Sequence, residues 1–338
     1  MVGLRRVAAV LTIATAIVCA TATAASSLSL HPTNWESSII SIAPATDVVD
    51  IEVLNGGEAM LLAVQPGHSA LIVGYRNEPY LRITADGDVQ ANLKSPTWWA
   101  NKTGTGTGAI PDSADPAAEP EWSTIGTNGS AAWHDHRIHA MPGVTDGTDW
   151  TVLVSVDDMP LVIRGRLDKL PAHAPMVELL LAIVAAAVVV LLGFRWAWTT
   201  SSAATLLGAA LALIVAIGAW TATPSGFTHP WLALLAAVLA AVFAVASFVV
   251  RNASRRLRVA AMVSAVAALA WWVALNFSAL TAVFIPNSLS AGVVRLSVGL
   301  AMGMVVGVAV VIVVSGGFTE TTSPRQAVVE SGNDPAPV

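Results

Sequence analysis

Beyond about residue 176 the chain carries five apolar stretches: Glu178–Trp198, Ser201–Thr221, Pro230–Val250, Val259–Phe284 and Gly292–Val314. Each holds at least the ~20 residues a helix needs to cross the hydrocarbon core of a bilayer. A helix on the surface of a water-soluble protein shows a polar face, and these show none. Residues 176–316 are therefore expected to form an all-α transmembrane bundle of five helices in contact with membrane lipid. No stretch has an ionisable side chain near its centre, which argues against active transport. Asn276, the strongly polar residue well inside a stretch, is expected to hydrogen-bond between helices. Met262, Met302 and Met304 are too scattered to read as a thioether path for Cu(I), and are expected to pack. Gly299, Gly303 and Gly307 repeat every four residues along the last stretch and make a face that another helix can approach closely. That neighbour is expected within the bundle itself, with homo-oligomerisation or a partner membrane protein as the alternative.

Charge is sparse, at 12% of residues, about half the soluble average of ~25%. The chain starts with Arg5 and Arg6, runs apolar from Val7 to Val18, and reaches Ala22-Thr23-Ala24. This reads as a signal peptide over residues 1–24, with an uncleaved anchor as the alternative. The sole cysteine, Cys19, lies in that leader. A mature chain then has no thiol for a disulfide, a nucleophile or a metal site. Arg195 falls in one loop between apolar stretches, and Arg251, Arg255, Arg256 and Arg258 in another on the same side. The positive-inside rule puts both in the cytoplasm, so the first helix runs inward from an exported N-terminal domain. The expected location is the plasma membrane, with residues 317–338 as a disordered cytoplasmic tail.

Residues 25–172 read as the extracytoplasmic domain. Short β-branched runs alternate with turn signals: Ser38–Ile42, Val48–Leu54, Ala59–Val64, Ala70–Tyr75, Tyr80–Thr84, Trp150–Val156 and Leu161–Leu167. Turns fall at Asn55-Gly56-Gly57, Asp86-Gly87 and Asp157-Asp158. The expected fold is all-β and sandwich-like, with residues 103–121 as a flexible loop. Ala25–Ala172 holds 18 acidic and 8 basic residues. That balance suits a cation and excludes nucleic acid as a partner.

The segment Trp133-His134-Asp135-His136-Arg137-Ile138-His139 concentrates three of the chain's seven histidines. Read as a strand, it puts His134 and His136 on one face, a common way to offer two imidazoles to copper or zinc. His139 joins them if the strand bends or ends near Arg137. Met141, His68, His31 and His173 are further candidate donors, and Asp135 can orient an imidazole from outside the ligand shell. The competing reading is a structural or partner-recognition patch, in which Asp135 pairs with Arg137 and Trp133 packs in the core. The protein is then an envelope interaction module whose helices dock a partner membrane protein. Catalysis is the weakest reading. The chain has no nucleophile elbow, zincin helix or phosphate-cradling loop.

Two other segments stand out: Gly74-Tyr75-Arg76-Asn77-Glu78-Pro79-Tyr80-Leu81-Arg82 and Ser95-Pro96-Thr97-Trp98-Trp99. With the histidine segment they resemble a family of actinobacterial membrane proteins that has an exported N-terminal domain and C-terminal transmembrane helices. Its pattern runs Gly-Tyr-x-x-Glu-Pro-Tyr-Leu-Arg, Ser-Pro, then Trp-His-Asp-His-Arg-x-His-Trp-Met. This chain departs from it at Ala140, where the family has tryptophan. The resemblance covers the N-terminal domain well and the helices in layout only. It implies no activity; an association with extracytoplasmic copper handling is all that comes with it.

Overall fold

A computed structural model describes residues 29–102, 109–252 and 254–316. The expected signal peptide, the first part of the 103–121 loop and the expected tail lie outside the described residues.

Ten strands form the N-terminal region: β1 Trp35–Ala43, β2 Val49–Leu54, β3 Ala59–Val64, β4 Ala70–Val73, β5 Pro79–Ile83, β6 Val89–Asn92, β7 Trp122–Gly126, β8 Ser130–Trp133, β9 Thr148–Val156 and β10 Met159–Lys169. A seven-stranded sheet runs β1-β10-β9-β4-β5-β6-β7, and a three-stranded sheet runs β2-β3-β8. The period-two pattern assigns the faces. Along β10, Leu161, Ile163 and Leu167 are buried while Arg164 and Arg166 face out. Ile51, Met60 and Leu62 of the small sheet share one core with Ile72, Leu81, Val152 and Ile163 of the large one. The Asp157-Asp158 turn joins β9 to β10, with φ of 47° and 64° at its two residues, the left-handed pair that a two-residue hairpin demands. Strands β6, β7 and β8 are additions to the sequence reading. Each is four or five residues long and contains Ala, Asn, Ser or Gly, so pairing supplies the order that local propensity does not. A short helix, α1 (Pro96–Asn101), is capped by the Ser95 side chain.

Among the described residues, four long apolar helices follow: α2 Met176–Thr221, α3 Trp231–Val249, α4 Arg255–Leu275 and α5 Ala291–Val314. This corrects the expected count of five. No proline or glycine separates residues 198 and 201, and α2 runs on through both expected stretches for 46 residues. It breaks at Trp196, where φ is −140° and ψ 58°. Contacts with α5 show what the break does. Before it, Glu178, Ala182, Val189 and Gly193 lie against Gly299, Gly303, Gly307 and Val311 in the same order. After it, Gly208 meets Met304 of α5 and Gly218 meets Leu289, just ahead of that helix, in the opposite order. The two halves of α2 thus run antiparallel along α5. The fourth stretch is also corrected: α4 stops at Leu275 rather than Phe284. Asn276 donates Nδ2 to the Trp272 carbonyl of its own helix at 2.9 Å, not to another helix as expected, and a side chain that competes for backbone groups ends helices. Elsewhere the interior is built on alanine, including Ala212, Ala236, Ala237, Ala244 and Ala265, which lets helices approach closely.

The β region sits on one end of the bundle. Thr33 and Phe284 exchange backbone hydrogen bonds of 3.0 and 2.9 Å, and the His173 amide donates to the Thr281 carbonyl at 2.9 Å. Arg295 Nη2 holds the same loop at the Ala282 carbonyl, 2.5 Å away. Three other arginines of the helical region, Arg195, Arg255 and Arg258, lie at the far end. The Arg195 and Arg258 guanidiniums lie 5.5 and 5.7 Å from the Trp196 and Trp198 rings, and Arg255 donates to the Gly316 carbonyl.

Candidate functional site

Strand β8 ends at Trp133, so the histidines are not alternating strand residues as expected. Asp135 turns the chain. Its Oδ1 accepts the Arg137 amide at 3.0 Å and its carbonyl accepts the Ile138 amide at 3.2 Å, a turn closed by an Asp side chain. The carboxylate is fully buried. It also accepts Trp133 Nε1 at 3.0 Å, and Arg137 Nε and Nη2 at 2.9 and 2.7 Å. Burial pushes its pKa up, but Arg137 outweighs burial and holds it below the usual carboxylate range. Asp135 is thus engaged with Trp133 and Arg137 rather than with an imidazole.

The Gly74–Arg82 and Ser95–Trp99 segments interlock with this turn. Both Arg137 Nη atoms donate to the Val73 carbonyl at 3.2 Å, and the guanidinium lies 5.1 Å from the Tyr75 ring centre. Tyr75 OH accepts the His136 amide at 2.8 Å and donates to Asn101 Oδ1 at 2.6 Å. Glu78 folds back under Gly74, where a β carbon would stand 2.4 Å from its Oε1. Its buried carboxylate accepts Ser95 Oγ, Thr97 Oγ1, Thr97 N and Arg76 N at 2.8, 2.6, 3.2 and 2.9 Å. Burial opposes the charge, but these donors hold the Glu78 pKa below its ordinary value. The three segments singled out in the sequence are one structural clasp.

Behind the clasp the imidazoles meet. His134, 3% exposed, bonds the Glu58 carbonyl through Nδ1 at 2.8 Å. A carbonyl only accepts, so the proton is on Nδ1 and the Nε2 lone pair is left open. His136 stacks on Tyr75 with ring centres 5.6 Å apart. The His134 ring centre lies 5.1 Å from that of His136 and 4.7 Å from that of His139. His134 Nε2 and His136 Nε2 are both buried, and neither has a hydrogen-bond partner. Burial and the neighbouring His134 push the His136 pKa down to about 4. Burial also lowers that of His139, against the opposing pull of Glu58. Among the described residues, no three His, Cys, Asp or Glu side chains already stand in metal-holding geometry.

Glu58 is the member that sequence reasoning missed. Its side chain is 7% exposed and bridges His139 Nδ1 at 3.3 Å and His31 Nδ1 at 3.9 Å. The Asn55-Gly56-Gly57 turn places it. Gly57, at φ 111°, would put a β carbon 2.6 Å from the Ile138 carbonyl oxygen. Gly56, at φ 67°, would put one 2.7 Å from the Phe284 ring. Two consecutive glycines next to a glutamate were the available signal, since only glycine fits both the backbone and the space. Other expected donors lie elsewhere. His68 pairs with Asp157 at 2.6 Å, beyond the end of β4 remote from Val73. His173 contacts Glu178 Oε1 at 3.1 Å beside the bundle. Met141 follows in the next turn, its amide on the His139 carbonyl at 2.9 Å. A cavity of about 390 Å³, bordered by Tyr80, Trp98, Trp133 and the Ser225–Thr228 loop, also reaches His134.

The chain matches no known protein family, no curated protein and no solved structure.

Proposed function

We propose that this chain is a multi-pass plasma-membrane protein whose sandwich-like domain lies on the extracytoplasmic side of five helical crossings and binds a copper or zinc ion through His134 and His136. Support for the membrane part comes from α2. At 46 residues it is about twice the ~20 that one crossing needs, and its halves run antiparallel. The arginines gathered at the end away from the β domain satisfy the positive-inside rule only if that end is cytoplasmic.

The metal reading is carried by one observation: two buried imidazole nitrogens without a partner, on rings whose centres lie 5.1 Å apart. A buried polar atom left unpaired costs roughly 1–3 kcal/mol, and a bound cation removes that cost at both. Two imidazoles on one tetrahedral ion, with bonds of ~2.0–2.1 Å, have ring centres roughly 5 Å apart, close to the 5.1 Å found. The Glu58 carbonyl on His134 Nδ1 is the outer hydrogen bond that fixes a ligating histidine. Ligand imidazoles must be neutral, and a pKa of about 4 keeps His136 so. Imidazole donors favour copper and zinc over the oxygen-seeking cations. The next imidazole is that of His139, its ring centre 4.7 Å from that of His134.

Calorimetric titration of the full chain in detergent with Zn(II) and Cu(II) tests this. The wild type binds one ion, and His134→Ala/His136→Ala loses more than the ~10–100-fold in affinity that removal of an outer-shell partner costs. A wild type that takes no ion more tightly than the double variant overturns the reading. The clasp of Asp135, Arg137 and Tyr75 then favours the second reading, an envelope interaction module whose helices dock a partner membrane protein.

A further inference from the structure

Between solvent and the inner histidine pair there is a continuous line of donor groups. His31 is at its outer end with a side chain 54% exposed, and is fixed by Asn55 Nδ2, which donates to its carbonyl at 2.8 Å. Glu58 comes next, 3.9 Å from His31 Nδ1, then His139, 3.3 Å from the other Glu58 oxygen. His139 meets His134 at 4.7 Å between ring centres, and His134 meets His136 at 5.1 Å. His31 is the exposed member of the line, its side chain 54% exposed against 7% at Glu58 and 19% at His139, and His134 is 3% exposed. A second feature is independent of the spacing. The ion pairs of the Glu58 carboxylate, which is nearly out of water, go to imidazoles alone among the described residues. A buried carboxylate without a lysine or arginine is short of positive charge. A negative group in a low-dielectric cleft also concentrates cations there.

We infer that Glu58, flanked by His31 and His139, is a separate outer station through which the metal cation passes between solvent and His134/His136. The inference rests on the metal reading above. The ion moves by ligand exchange, one donor bound before another is released, so no electron transfer or covalent step is involved. The three outer groups set how fast the ion arrives and leaves, and the inner pair sets how tightly it is held.

The test is stopped-flow uptake of Zn(II) by the full chain in detergent, and its removal by a chromophoric chelator, alongside the equilibrium affinity. Glu58→Gln keeps the backbone carbonyl that orients His134, and His31→Ala lies outside the core. Glu58→Gln is expected to slow uptake about tenfold, the lower end of what loss of a focusing charge does to association, and His31→Ala, which removes a donor and no negative charge, to slow it less. Release slows in step, so affinity stays within about threefold of wild type. Unchanged rates overturn the relay and direct the search to the cavity that reaches His134 from the Ser225–Thr228 side. Affinity lost with the rates also overturns it, because Glu58 and His31 are then ligands of the held ion. Either result leaves the inner site standing, whereas absence of zinc binding in the wild type removes both.

Discussion

Glu78 and Asp135 are buried carboxylates that stay charged for different reasons, and they predict the acid limb of stability. Glu78 is satisfied by hydrogen bonds from Ser95, Thr97 and Arg76, and Asp135 by Arg137 and Trp133. Both have folded-state pKa values below their ordinary 4.5 and 3.8. The stability they contribute is complete above those ordinary values and is lost as pH falls through the folded ones. His136 acts in the same direction by the opposite chemistry. Its folded pKa of about 4 lies below the ordinary 6.5, so the unfolded chain takes the proton first, and stability declines between those two values as pH drops. Thermal unfolding of the metal-free full chain is expected to give a flat Tm from pH 8 to 7, a decline beginning near 6.5 and a steeper one below about 4.5. His136→Gln shrinks the upper decline and leaves the share that the lowered His139 contributes; a Tm flat from pH 7 to 5 in the wild type contradicts the burial of His136. Glu78→Gln, which sets an amide against four donors, is expected to cost about 3 kcal/mol in chemical unfolding.

Helix packing turns on residues too small to be noticed singly. A β carbon at Gly303 would stand 2.2 Å from the Ala182 carbonyl oxygen, and one at Gly299 2.8 Å from that of Glu178. Backbone cannot yield as a flexible side chain can, so Gly303→Leu is expected to cost more than the ~1–3 kcal/mol typical of overpacking. Gly292, with nothing within 4 Å of its β-carbon position, is the control: Gly292→Ala is near neutral. Tm values in detergent read the difference, and equal effects would mean that the first half of α2 does not seat on α5. The glycine repeat was visible in the sequence because a spacing of four has one meaning on a helix. The reversal was legible too, as the break between the first two stretches at Arg195; the helical path that continues through Trp196 without a loop was not. Strands β6 to β8 were hidden similarly, since Val89–Asn92 and Ser130–Trp133 become strands through their neighbours rather than their own preference.

On the scale of the molecule, the β domain and the arginine cluster mark opposite ends of the bundle, which turns orientation into a labelling experiment. In a Cys19→Ser background, Ser225→Cys is expected to react with an impermeant maleimide in intact cells, and Arg256→Cys only after permeabilisation. The reverse pattern inverts the topology. The division into β domain and helices was legible because the apolar stretches have no polar face. The histidine segment was legible as a cluster, but its geometry was not: the Asp135 turn, rather than strand alternation, gathers the rings. Glu58 was out of reach because it approaches His134 and His139 from about eighty positions away, across the β2–β3 turn. The central claim is that the two unpartnered nitrogens share a cation, and X-ray absorption of the zinc-loaded full chain addresses it most directly. The account predicts nitrogen donors at ~2.0–2.1 Å with the outer-shell scattering of at least two imidazoles, reduced in His134→Ala. A shell of oxygen alone, unchanged by that substitution, would contradict it.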